Sequence, residues 1–367
     1  MDMVGREQKV VVGLSGGVDS AVVASMLVAD GYRVEGVTLR TWSEPGEREK
    51  RWQDRSCCKI GIAEYVAKEL GIAHRVVDAR ERFRRAVIDD FCATYAAGRT
   101  PNPCVLCNER VKFALLVEAA EEMDADLLAT GHYARVEQDA RSGRYRLLRG
   151  VDSFKDQSYF LYRLSQDQLR RTLFPLGELT KADVWGKAEA MRLPVDEIAE
   201  SQEICFVTQK DYREFVAARL PETVRTGAMV TTEGIVVGTH QGVAFYTVGQ
   251  RRGLGVAAGE RRYVTGLDAN RNLVVLGNET DLLSASCVVE DVHLCAAAAI
   301  TAPVRVAAKF RYKTPATPAT IIPDPSGLVR VAFEEPQRAV TPGQSIVFYD
   351  GDVIVAGGVI RSAQRRA

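Results

Sequence analysis

The N-terminal half of the chain alternates short apolar runs with segments of helical period. "KVVVGL" (9–14), "RVEGVTL" (33–39), "AHRVVDA" (73–79) and "ADLLATGHYA" (125–134) read as strands, and residues 20–29, 60–70 and 108–123 as helices. Continuous apolar strands separated by helices predict βαβ units and a parallel sheet buried on both faces. Helical segments over 166–171 and 181–192 follow, bounded by Pro175, Gly177 and Pro194. From about Gly227 the pattern changes to short β runs with close turn signals, such as "GIVVGTHQGVAFYTVG", "PVRVAAKFRY" and "QSIVFYDGDVIVAGGVI". That texture predicts small barrels. Gly277, Asn278 and the polar run to Ser286 mark a boundary within it. The expected organisation is an α/β domain over 1–206, a central β-rich domain over 207–283 and a C-terminal β-barrel over 284–367.

A length of 367 residues fits two or three domains. With 46% hydrophobic and 26% charged residues, the composition is that of a globular chain. The N-terminal apolar run is too short for a signal peptide or a membrane span, so a cytoplasmic protein without membrane contact is expected. Eight cysteines without a secretory signal point to reduced thiols, some of them catalytic or metal-binding. The formal net charge of zero gives no bulk signal for a nucleic-acid partner.

"VVVGLSGGVDSAVVASML" sets Ser15, Gly16, Gly17, Val18, Asp19 and Ser20 between a buried strand ending at Gly13 and Leu14 and the first turn of a helix. Glycines admit a phosphate close to the backbone, and the free amides of a helix N-terminus bind the anion. The stretch lacks the Gly-Lys-Ser/Thr ending of the mononucleotide loop. It resembles the signature of the pyrophosphatase-loop ATPases, which implies an adenine nucleotide alpha-hydrolase-like parallel-sheet fold and cleavage of ATP to AMP and pyrophosphate.

"GRTPNPCVLCNERVKF" places Cys104 and Cys107 where a proline-stiffened loop is expected to enter a helix near Asn108. At a helix N-terminus at least one of the pair is expected to be acidified. Cys205 in "AESQEICFV" reads by itself as a core thiol. Taken in order, "SGGVDS", "GRTPNPCVLCNERVKF", "ATGHYAR", "KDQSYFL", "SQEICFV", "FYTVGQRRGLG", "KFRY" and "VTPGQSIVFYDGD" resemble the tRNA-specific 2-thiouridylase (MnmA) family from about Val10 to Val359.

The resemblance implies ATP- and magnesium-dependent thiolation of the wobble uridine in tRNAs for Lys, Glu and Gln, with a cysteine desulfurase or sulfur-relay protein as donor partner. It implies Cys205 as the persulfide carrier, and Cys107 as the nucleophile that releases the sulfur and closes a disulfide with Cys205. It also implies nucleotide contacts at Gly13 to Ser20, Leu39 and Gly131. RNA contacts are implied at Asn102, Pro103, Cys104, His132, Lys155, Asp156, Gln157, Arg311, Tyr312 and Gln344. Arg311 and Tyr312 pair a phosphate fork with a stacking ring, a combination suited to splayed bases. The basic pairs Arg251-Arg252 and Arg261-Arg262 could grip phosphates.

Many family members carry Asp where this chain has Cys104, and a thiol is a poor substitute for a carboxylate as acceptor. Three thiolates, Cys104, Cys107 and Cys205, open a second route through a [4Fe-4S] cluster. An amidating pyrophosphatase-loop synthetase is a further alternative, and one that needs no cysteine pair. Roles for Cys57, Cys58 and Cys92 stay open.

Overall fold

The computed structural model describes residues 8–42, 59–191, 204–207, 211–256 and 261–365. Cys57 and Cys58 lie outside them, as do Pro194 and the expected end of the 181–192 helix. The chain divides into two compact units, the first formed by Met1–Val87, Cys104–Thr208 and Asp352–Ile354, the second by Ile88–Pro103, Gln209–Gly351 and Val355–Ala367.

The first unit is built on five parallel strands, β1 (Lys9–Gly13), β2 (Arg33–Arg40), β3 (Ala73–Asp78), β4 (Leu127–Ala129) and β7 (Thr172–Leu173), in the order β3-β2-β1-β4-β7. Central β1 is fully enclosed, with Val10, Val11 and Val12 at 0% exposure, as its unbroken valine run requires. Helices α1 (Val18–Ala29) and α2 (Ile60–Glu69) pack Val22, Val23, Leu27, Ile62 and Val66 into the same core. Strand order reverses between β1 and β4, and the crevice at their carboxyl ends is where open α/β sheets bind ligands. The expected strand over 125–134 is shorter than its apolar run. It stops at Ala129, and Ala134 opens a hairpin of β5 (Ala134–Gln138) and β6 (Tyr145–Arg149).

Two helices depart from the expectation. Residues 80–96, unassigned from the sequence, are helical: α3 (Arg80–Phe83), a π-turn over Arg84–Ile88 and α4 (Asp89–Ala96). Phe83, Val87, Phe91 and Tyr95 recur every four residues, a longer repeat than 3.6, and the π-turn absorbs the drift. The helix expected near Asn108 begins at Pro103, as α5 (Pro103–Leu106), a π-turn over Cys107–Lys112 and α6 (Phe113–Glu122). Proline is favoured at a first helical position because its missing N–H and fixed φ cost nothing there. The helix expected over 166–171 is present as α7 (Gln166–Arg171), opened by a capping box between Ser165 and Gln168.

In the second unit, Tyr95 of α4 stacks on Tyr212 of α9 (Tyr212–Arg219) with ring centroids 4.5 Å apart. A four-stranded sheet follows, of β8 (Gly227–Thr231), β9 (Val236–His240), β10 (Tyr263–Asp268) and β11 (Leu273–Gly277), in the order β10-β11-β8-β9. Six strands, β12 (Leu283–Leu294), β13 (Val304–Lys309), β14 (Thr317–Pro323), β15 (Val329–Arg338), β16 (Ser345–Asp350) and β17 (Val353–Arg365), close into a barrel through the β12 to β17 pairing. Val289, Ile321, Val331, Ile346, Phe348 and Ile360 fill it. Among the described residues no helix is long and apolar enough to cross a membrane.

Candidate active site

The strand-to-helix loop lies at the switch point. Gly16 has φ +73°, and a side chain there would run into the Lys59 carbonyl. The Lys59 amide in turn donates to Ser15 O at 2.8 Å, closing the loop against the start of α2. Ser20 Oγ donates to Gly17 O and accepts from the Ser15 amide, so the loop is preformed. Thr38 spends its one proton on Leu14 O at 2.6 Å. His74 Nε2, 2.8 Å from the same hydroxyl, is therefore the donor to it. Leu39 follows Thr38 and is buried at the end of β2.

The segment after β4 lies against this loop. A Cβ on Gly131 would stand 3.0 Å from the Asp19 backbone and the Ser20 amide nitrogen, so only glycine lets the β4 loop lie on the helix start. His132 Nδ1 is 2.8 Å from Thr130 Oγ1, with Phe113 and Phe174 rings around it. Burial, with Lys112 adding to it, pulls its pKa down to about 3. His132 is thus a neutral hydrogen-bonding group at physiological pH and supplies no charge to a phosphate.

Two residues that the sequence pattern did not single out complete the loop. Lys181 Nζ and the Tyr133 hydroxyl both donate to Asp19 Oδ1, at 2.8 and 2.9 Å. Thr180 caps α8 (Lys181–Ala190) in a reciprocal capping box with Asp183, which fixes Lys181 in the first turn. The ammonium lies 5.2 Å from the Trp185 ring centroid and is largely buried, a cation held at a phosphate loop. Thr-x-x-Asp ahead of a helical run was the available signal for the helix start, but nothing local ties residue 181 to residue 19.

The Lys155 to Gln157 triplet closes the same edge. Asp156 is buried, its Oδ1 accepting the Gly150 and Ser158 amides. Gln157 Oε1 accepts the Tyr133 amide at 3.1 Å, and the Gln157 amide returns a bond to Tyr133 O. Asp156 and Gln157 therefore brace the turn from inside, whereas Lys155 is half-exposed.

The cysteine pair divides. Because the helix starts at Pro103, Cys104 stands exposed in its first turn, and the buried Cys107 opens the π-turn one turn later. The helix N-terminus expected at the pair thus lies at Cys104 and not at Cys107. The π-turn is marked by the Phe113 amide bonding Asn108 O, five residues back. Arg82 Nε donates to the Arg110 carbonyl at 2.8 Å, and Arg82 also pairs with Glu118 at 2.6 Å, so α3 clamps this turn. Phe206, next to Cys205, is buried edge-on to Phe83 of α3, with centroids 5.6 Å apart. Burial pushes the Cys92 thiol up to about 11 and Cys287 up to about 12, marking both as inert core thiols.

Within the second unit, Gln344 Nε2 donates to the Thr100 and Pro101 carbonyls at 3.2 and 2.8 Å, holding the segment that leads into Asn102 and Pro103. Arg311 donates to the Ala339 carbonyl at 2.6 Å, and Lys309 Nζ sits 5.5 Å from the Tyr312 ring centroid. Arg251, Arg261 and Arg262 line one cavity of about 320 Å³ together with Leu254 and Val256.

Among the described residues no three His, Cys, Asp or Glu side chains gather as metal ligands. Cys104, Cys107 and Cys205 are all described and form no such group.

A preformed phosphate loop at the switch point of a parallel sheet defines a nucleotide-using α/β domain. Residues 8–209 match the family described as the tRNA methyl transferase HUP domain. Residues 213–278 match its PRC-barrel domain, and 284–360 the aminomethyltransferase beta-barrel domain. The tRNA-specific 2-thiouridylase MnmA of Pelotomaculum thermopropionicum is 46% identical over 360 residues, covering 97% of this chain and 98% of that protein. Those of Moorella thermoacetica and Acetivibrio thermocellus are 45% and 43% identical, over 96% and 97% of this chain and 99% of each relative. The chain belongs to the tRNA-specific 2-thiouridylase family. A U34-tRNA thiolase from Methanococcus maripaludis, solved with its [4Fe-4S] cluster, aligns with 61% of this chain and 68% of its own at TM-score 0.36 and 18% identity, too low to carry its cluster over.

Proposed function

We propose that this chain thiolates C2 of the wobble uridine in tRNAs for Lys, Glu and Gln through an adenylated intermediate and a cysteine persulfide. The observation that carries the reading is the Ser15–Ser20 loop, closed by Gly131 and Lys181, in a family member that retains Cys107 and Cys205. The loop amides and Lys181 hold the triphosphate, and Asp19 is the carboxylate beside it for magnesium. The uridine O2 attacks the α-phosphorus and pyrophosphate leaves with the P–O electrons. The terminal sulfur of the Cys205 persulfide then adds to C2 and expels AMP. The Cys107 thiolate attacks Cys205 Sγ, breaking the S–S bond, and those electrons stay on the sulfur now double-bonded to C2. A Cys107 to Cys205 disulfide remains, and an external thiol reduces it. A cysteine desulfurase or relay protein reloads Cys205.

The division into 1–206, 207–283 and 284–367 gives the catalytic chemistry to the first part. The Arg251, Arg261 and Arg262 cavity, Arg311 and Tyr312 grip tRNA from the others, in the cytoplasm. Sulfur transfer is favoured over the methyl transfer that the family descriptions mention because the relatives named in full are thiouridylases and the loop suits a triphosphate.

The test is incubation of tRNA with ATP, magnesium and a sulfur source, followed by nucleoside analysis for 2-thiouridine. Wild type and Cys104→Asp should form it, and Cys107→Ser should not. Full activity of Cys107→Ser would sink the persulfide assignment.

A further inference from the structure

Phe154 is 93% exposed, more than any other large hydrophobic side chain among the described residues, and Val151 beside it is 47% exposed. This ring is not on a frayed tip. Asp152 Oδ1 accepts the Phe154 and Lys155 amides at 3.0 and 3.2 Å, and Asp152 O accepts the Lys155 and Asp156 amides. Asp152 Oδ2 accepts the Lys181 amide at 2.9 Å, and the Lys181 ammonium reaches Asp19 of the phosphate loop. A turn held by this many bonds presents a phenyl ring to water, with the exposed Val151 and the half-exposed cation Lys155 in the same segment.

We infer that Phe154 is a stacking platform for an unpaired base of the tRNA, with Lys155 on the adjacent phosphate. This rests on the reading of tRNA as substrate. An aromatic face beside a cation is the chemistry that holds single-stranded nucleotides, because every base offers a π-face and every linkage a negative charge. The bonded path from Asp152 through Lys181 to Asp19 fixes the platform relative to the nucleotide loop, so a base stacked on Phe154 is held in register with the site of adenylation.

The experiment compares tRNA binding by wild type, Phe154→Ala, Phe154→Leu, Phe154→Tyr and Phe154→Trp, using labelled tRNA anisotropy at fixed salt. Alanine and leucine should weaken binding about ten-fold, the loss expected for one stacked base. Tyrosine and tryptophan should stay within about three-fold of wild type. The added tryptophan of Phe154→Trp should lose emission on titration with tRNA, relative to wild type. ATP binding should be the same in all five. Equal tRNA affinity across the set, or a leucine variant that binds like wild type, would overturn the stacking role while leaving the substrate reading intact. If wild type itself fails to bind tRNA, both fall. Unchanged tRNA affinity in Phe154→Ala combined with lost sulfur uptake from a desulfurase would reassign the ring to a protein contact.

Discussion

Phe206 lies edge-on to Phe83, at 5.6 Å and an interplanar angle of 75°, and both rings are buried. The residue that follows Cys205, the proposed sulfur carrier, is thereby fixed to the helix whose Arg82 holds the π-turn opening at Cys107. Phe206→Leu keeps most of the volume and should cost about 1 kcal/mol in stability. It should slow sulfur transfer by up to about 100-fold, the penalty for misplacing a reacting group by an ångström. AMP formation with tRNA should persist. Single-turnover assays with preloaded persulfide read the difference, and an unchanged transfer rate would disprove the anchoring role.

Lys181 is 12% exposed and its partner Asp19 31%. Lys181→Met removes the cation from the loop and should lower tRNA-dependent AMP release about 100-fold, the scale of one lost electrostatic contact in a preorganised site. Tyr133→Phe removes one hydrogen bond to Asp19 and should cost about 1 kcal/mol of stability with a smaller kinetic effect. Wild-type turnover in Lys181→Met would remove Lys181 from the site.

His132 sets a pH dependence. Its pKa falls from 6.5 to about 3 in the fold, so below 6.5 the unfolded chain binds a proton that the folded chain refuses. Its stabilising contribution is complete above that value and is lost as pH falls, by about 1 kcal/mol per unit. Burial lowers His74 and His240 in the same direction. Denaturant melts at pH 7.5 and 5.5 should show a loss in wild type that is about 1 kcal/mol smaller in His132→Asn. An identical loss in both would exclude His132 as a source.

Gly343 has φ +92°, and a Cβ there would meet the Thr100 backbone at 2.7 to 2.8 Å. Gly343→Ala should destabilise the chain by about 2 kcal/mol or more through the strained backbone and the clash. Gln344→Ala loses both bonds to the Thr100 and Pro101 carbonyls and should cost about 1 to 2 kcal/mol. Thermal melts of both variants check this.

Thiol reactivity should follow burial. Iodoacetamide at pH 8 should label Cys104 ahead of Cys92 and Cys287, whose thiols are held at about 11 and about 12. Peptide mass spectrometry gives the order, and early labelling of Cys92 would contradict its assignment as a core thiol.

Local pattern alone determined the parallel-sheet domain, the β-rich second half and the phosphate loop, because alternation, period and glycine placement are properties of neighbouring residues. Two local features escaped. The helix over 80–96 was hidden by a four-residue apolar repeat that a π-turn accommodates, and Pro103 read as loop when it starts a helix. The tertiary structure decided the rest. Strand order β3-β2-β1-β4-β7 laid Gly131 on the start of α1, Lys181 reached Asp19 across 162 positions, and Phe206 reached Phe83. Such pairs are selected by packing and charge compensation across the whole fold, and no window of sequence contains both members.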